Sequence, residues 1–170
     1  MPATAFLGQN KEMKKTLLTA AFLLSFSSSA LAAACYSANE FEAEQGLRIH
    51  SELMVIGLTC VKMQGGMEMY NKYQKFTQKN QQLLSSYENH IIDFYRRQGE
   101  PDPEAKFHTL RTRLANTISK QAITMSPSSF CAQFGPRVDK ALAMDQKKLR
   151  HWAQHVWPNT PTSAPVCTGL

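Results

Sequence analysis

His151 and His155 stand four residues apart in a stretch with helical spacing, which puts both imidazoles on one face where they could hold a transition metal. A metalloprotease of the His-Glu-x-x-His kind needs a glutamate directly after the first histidine, and that residue here is Trp152. No third ligand stands nearby, so the pair reads as two surface histidines beside a buried tryptophan, and no metal or other cofactor is expected. His90 and Asp93 are three apart with Glu88 close by, an arrangement in which a carboxylate could orient an imidazole as a general base. A disulfide-rich helical phospholipase would carry adjacent His-Asp flanked by cysteines, which this chain lacks. No serine has the Gly-x-Ser-x-Gly context of an activated nucleophile. A small secreted enzyme using His90 and Asp93 therefore ranks behind the non-enzymatic readings.

The four cysteines carry chemistry of another kind. In an oxidising compartment they imply two disulfides, with three possible pairings. Cys60 lies beside Leu58 and Val61, and Cys131 beside Phe130 and Phe134, so both are expected on buried helix faces. Cys35 and Cys167 lie near the two ends in segments without an amphipathic face. Core with core and end with end is the expected pairing: Cys60 to Cys131 and Cys35 to Cys167. No Cys-x-x-Cys occurs, which excludes a thioredoxin-like redox motif and a covalently attached haem.

The compartment follows from the first 34 residues. Lys14 and Lys15 precede an apolar run from Leu17 to Phe26 and a small-residue segment ending at Ala30-Leu31-Ala32, the order of a secretory signal peptide. Residues 1–32 are expected to be a signal peptide cut after Ala32, with translation starting at Met13. An alternative uses Ala32-Ala33-Ala34-Cys35 as a lipoprotein signal, which would anchor the chain through Cys35 and leave three thiols. The expected location is periplasmic or secreted. Cleavage leaves 138 residues with 16 basic and 12 acidic side chains, a net +4, too sparse for the basic stripe that nucleic acid requires. The acids Glu40, Glu42, Glu44 and Glu52 cluster near the mature start. Their packing against basic faces of the same chain would explain the asymmetry as well as a partner would. No second apolar stretch is long enough to cross a membrane.

The elements that must position these residues are helices. Ser37 and Glu40 have capping-box spacing, Leu47, Met54 and Val61 mark one buried face, and Gly65-Gly66 ends this first helix. Tyr73, Phe76, Asn80, Leu83, Tyr87, Ile91 and Phe94 recur every three or four residues, predicting one helix of about eight turns that ends at Arg96, Arg97 and Gly99. Asn80 inside that stripe either fixes helix register or marks a half-exposed point. Asp102-Pro103-Glu104 starts a third helix, and the short link predicts an antiparallel hairpin. Ser126-Pro127 opens a fourth piece, broken at Gly135-Pro136, before a longer helix whose stripe is interrupted by Asp145.

The expected fold is all-α: a small single-domain helical bundle or irregular array of four to five helices over residues 33–157, stapled by two disulfides. Residues 158–170, rich in proline, form an extended tail tied by Cys167. In size and layout the chain is similar to small exported helical two-disulfide proteins such as acid-stress chaperones and immunity proteins, a likeness of architecture without a shared motif. The functional expectation is a protein-binding module of the inhibitor, immunity or chaperone-like kind, whose partner is another protein of the envelope or exterior. The alternative is a carrier of a small apolar ligand or metal between helices. Tyr95, Arg96 and Arg97 with Met63, Met67 and Met69 are the candidate binding surface, because interfaces favour these residue types.

Overall fold

The computed structural model describes residues 35–155 and 160–167; the expected signal peptide, Val156 and Trp157 lie outside the described residues. The chain is all-α, and no helix among the described residues is long and apolar enough to cross a membrane. Seven helices are present among them: α1 (Ala38–Cys60), α2 (Gly66–Lys79), α3 (Gln81–Arg97), α4 (Pro103–Thr124), α5 (Pro127–Phe134), α6 (Pro136–Leu142) and α7 (Gln146–Ala153).

The first helix begins as its sequence dictates. Ser37 accepts from the Glu40 backbone while the Glu40 carboxylate accepts from the Ser37 backbone N–H at 2.7 Å. The helix then departs from the single buried face that its spacing predicts, because residues 42–53 are buried without interruption. All six other helices pack against it, making α1 the axis of the fold. Gly46 permits the closest of these approaches: a β-carbon there would fall 2.2 Å from the Tyr87 ring of α3. At the far end, Gly65 takes φ +75°, and a β-carbon on Gly66 would fall 1.7 Å from the Cys60 carbonyl oxygen, so the turn into α2 requires both glycines.

Two of the helices expected from sequence are divided. Buried Asn80 takes φ −109° and ψ 13°, and its side-chain amide donates to the Phe76 carbonyl at 2.9 Å. Its backbone N–H keeps the helical bond to the same carbonyl at 3.1 Å, so side chain and main chain share the Phe76 oxygen at the point where α2 gives way to α3. The apolar spacing continues across the break, so periodicity alone does not reveal it. Asn80 is thus fully buried, and the bond it makes is within its own segment. Asp145 works similarly. Its carboxylate accepts from the Lys148 backbone at 2.8 Å and caps α7, so the residue that interrupts the apolar stripe starts a new helix.

The α3–α4 hairpin forms as expected, with Asp102 accepting from the Ala105 backbone at 2.9 Å and Pro103 in the first turn. Both disulfides have the expected pairing: Cys60–Cys131 joins α1 to α5, and Cys35–Cys167 joins the tail to the residue preceding Tyr36. The tail is extended, but Cys167 is one attachment among several. Tyr36 pairs with Val166 in a single parallel bridge, and the Tyr36 hydroxyl lies 2.6 Å from Ser163 Oγ.

Candidate functional site

The buried acids, Arg48 and His50 all lie on α1, and between them they reach several neighbouring elements. Glu40 pairs with Arg97 at the end of α3. Glu42 accepts from the Tyr87 hydroxyl at 2.8 Å, from Arg150 at 3.1 Å and from Gln154 at 2.7 Å, tying α1 to α3 and α7. Glu44, with no exposed surface, pairs with Arg48 at 3.1 Å and accepts the backbone N–H of Ser163 at 3.0 Å as well as its hydroxyl. Arg48 donates onward to the Pro161 carbonyl at 3.2 Å. Glu52 pairs with Arg137 of α6 at 3.0 Å, and burial pushes its carboxyl up despite the guanidinium. Carboxylates stripped of water are costly unless paired and hydrogen-bonded, so these contacts fix where each outer element sits. The acidic cluster of Glu40, Glu42, Glu44 and Glu52 is therefore engaged within the molecule.

His50 completes this axis. Its Nε2 lies 3.1 Å from Thr77 Oγ1 of α2, and its Nδ1 lies 3.4 Å from an Arg111 nitrogen of α4. Arg111 in turn pairs with Glu88 of α3 at 2.7 Å. Because arginine only donates, Nδ1 must accept, and Nε2–H donates to Thr77, whose hydroxyl passes on to the Tyr73 carbonyl at 3.1 Å. Both ring nitrogens are committed, leaving neither for a substrate. Burial, aided by the Arg111 charge, lowers the imidazole to about 4, so it is neutral at pH 7. Sequence spacing did not single out His50, since a histidine among charged residues on a helix looks solvent-facing.

The residues that sequence did single out are dispersed. Asp93 pairs with Arg96 and Glu88 with Arg111, so neither carboxylate orients His90, which is half-buried on α3 without a hydrogen bond among the described residues. His151 and His155 do lie together, ring centroids 4.4 Å apart. His155 Nδ1, however, points at the His151 carbonyl at 2.5 Å, and no three metal-binding side chains converge among the described residues. Tyr95 is buried, packed edge-on against Phe94, and Arg97 is held by Glu40 beside the first turn of α1. Met63 and Met67 are exposed beyond the last turn of that helix, with Met69 half-buried near Gly135. Twenty helical residues separate Glu40 from Cys60, about 30 Å at 1.5 Å per residue. The six candidate surface residues therefore occupy opposite ends of the axis and do not form one patch. Two of the three lysines on α2 are also engaged: Lys72 pairs with Asp139 at 2.8 Å, and Lys79 donates to the Leu142 and Met144 carbonyls at 3.0 and 2.7 Å. They hold the end of α6 in place.

Among the surface grooves of the described residues, one of about 660 Å³ runs along α6 and α7. Its floor is the half-buried Trp152 with Met144, and the Arg137 and Lys140 cations each lie 5.7 Å from the indole centroid. Lys140, Lys147, Lys148, His151 and His155 form its exposed walls. Lys147 and Lys148 have no carboxylate partner among the described residues, and the single acid at the groove, Asp145, is spent on the helix cap. The apolar floor and unneutralised cationic rim make this groove the candidate site. Trp152 and its lysines carried no sequence signal, because the tryptophan reads as one more core position and the lysines as ordinary surface. Protein-family models, curated proteins and solved structures contain no match to the chain.

Proposed function

We propose that this chain is an exported protein of the bacterial envelope or exterior that acts by binding another protein, in the manner of an inhibitor, immunity protein or chaperone. The observation that carries this reading is where the ionisable side chains go. The buried acids of α1 and His50 are consumed in internal bridges, and among the described residues neither His90–Asp93 nor His151–His155 gains the third group that catalysis or metal binding needs. Two disulfides support an oxidising compartment, and the arrangement of residues 13–32 supports export. The Cys35 sulfur, bonded to Cys167, has no valence left for a lipid, which favours an unanchored protein.

The α6–α7 groove also keeps the carrier alternative alive, since its volume lies within the range of small-ligand sites. Its walls are exposed side chains, a form that suits a partner's surface better than an enclosed apolar ligand. The test is affinity capture from envelope extracts with the oxidised protein, repeated with His90→Ala, Asp93→Asn and His151→Ala. Each variant is expected to retain the partner. Loss of capture with His90→Ala or Asp93→Asn, in protein whose circular dichroism is unchanged, would make α3 an active site and end the binding-module reading.

A further inference from the structure

We infer that the α6–α7 groove takes an acidic segment of the partner protein, with an apolar side chain seated over Trp152 and Met144 and flanking carboxylates on Lys140, Lys147 and Lys148. This deepens the binding-module reading and rests on it. Charge complementarity selects the occupant: three ammonium groups face one carboxylate, and that carboxylate already accepts the Lys148 backbone N–H. Several cations elsewhere are neutralised within the chain. Arg97, Arg111, Arg137, Arg150 and Lys72 all meet carboxylates of the same chain. Lys62, Lys75, Arg113 and Lys120 likewise meet no carboxylate among the described residues, but at the α6–α7 groove three such lysines stand together beside an indole floor.

Their position sharpens the point. Lys147 and Lys148 occupy the first turn of α7, where the helix dipole is positive and acids are favoured, and that turn contains no acid. The first turns of α1, α2, α4 and α6 carry Glu40, Glu68, Glu104 and Asp139. The first turns of α3 and α5 hold no acid but also no cation, so among the described helices α7 alone opens on cations with no acid beyond its Asp145 cap. The dipole adds to the lysines in drawing a negative group to the groove mouth. A cationic rim around an aromatic floor speeds encounter through charge and holds through apolar contact.

The experiment measures fluorescence anisotropy of short fluorescein-labelled peptides mixed with the oxidised protein. One set carries a leucine or phenylalanine among aspartates and glutamates; its counterpart replaces every acid by lysine. Vesicles containing phosphatidylglycerol are assayed in parallel by co-sedimentation. The acidic set is expected to bind, to weaken by about tenfold or more in K147E/K148E, and to weaken as salt is raised. Both positions are exposed, so the melting temperature of the variant serves as the control for folding. Binding of acidic peptides no tighter than of the lysine set, binding indifferent to the double substitution, or sedimentation with vesicles in place of peptide binding would each overturn the assignment. If the unaltered protein captures a partner that K147E/K148E retains equally well, the groove assignment fails while the binding-module reading stands.

Discussion

The axis of α1 and the groove of α6–α7 are both rich in charge, and they use it in opposite ways. Along α1 every buried carboxylate has found a cation or a backbone donor, so the charges lock neighbouring helices in place. At the groove the lysines face solvent with no answering carboxylate beyond a capping aspartate. Buried charge must be matched within the chain, or the fold pays for it; exposed charge need not be and can be kept for a partner. Ionisable residues on α1 are therefore matched within the chain, whereas the groove lysines are left without such a match. That reverses the common expectation that buried titratable groups mark the working site.

The sharpest way to break the contrast is Glu44→Ala. It strands Arg48 in the interior and releases Ser163, so a loss of about 3–5 kcal/mol is expected in urea unfolding. Removing Glu44 and Arg48 together should cost less than the two single losses added, because each single change leaves the other charge unanswered. A cost below about 1 kcal/mol for Glu44→Ala would mean that the axis is not what holds the tail.

Next in size is the removal of Cys60–Cys131 by paired alanine substitution. With the partners 71 positions apart in sequence, the chain-entropy account gives about 4 kcal/mol, and strain or residual unfolded structure commonly reduces it to about 2. Non-reducing melting curves of the variant against the parent measure it. A shift in melting temperature indistinguishable from zero would show that the α1–α5 contact needs no covalent tie.

Acid should weaken the fold through His50. Its imidazole is lowered from 6.5 to about 4, so between those values the unfolded chain binds the proton that the folded chain refuses. Stability then rises with pH across the window and falls on acidification, by up to about 3 kcal/mol at 1.36 kcal/mol per pKa unit. Glu52, raised by burial, works in the other direction, since the folded chain takes up its proton first. Urea unfolding at several pH values, compared between the parent and His50→Gln, isolates the histidine. A parallel pH dependence in the two proteins would remove His50 from the account.

The smallest effect on stability is expected at the groove itself. Exchanging Lys147 and Lys148 for glutamate touches no internal pair and favours the dipole, so stability should change by less than about 0.5 kcal/mol or rise slightly. Thermal melting is enough to check it. A large loss would mean that these lysines belong to the scaffold after all.

Much of the architecture was legible from local chemistry. The Ser37–Glu40 capping box, the Gly65-Gly66 turn, the Asp102-Pro103 start and the disulfide pairing each follow from a few neighbouring residues. The break at Asn80 and the new start at Asp145 were not, because a side chain that captures a main-chain group leaves the apolar spacing almost unchanged. Nor was the enclosure of α1. Glu42, Glu44 and His50 look solvent-facing until the tyrosine, arginine and serine partners arrive from segments up to 119 residues away. The groove was hidden for the complementary reason: ordinary surface lysines and a core-type tryptophan become a site only when α6 and α7 are folded against each other.

The bond between Cys35 and Cys167 has a mechanical consequence. Pulled from points outside these two cysteines, the chain transmits tension from one sulfur to the other, and all seven helices lie off the load path. Stretched by its ends, the oxidised protein should lengthen only outside that link, while a variant lacking only this link should yield helix by helix as far as the Cys60–Cys131 bridge allows. A domain held this way could be tethered at either end, under shear or traction, without its shape recording the force.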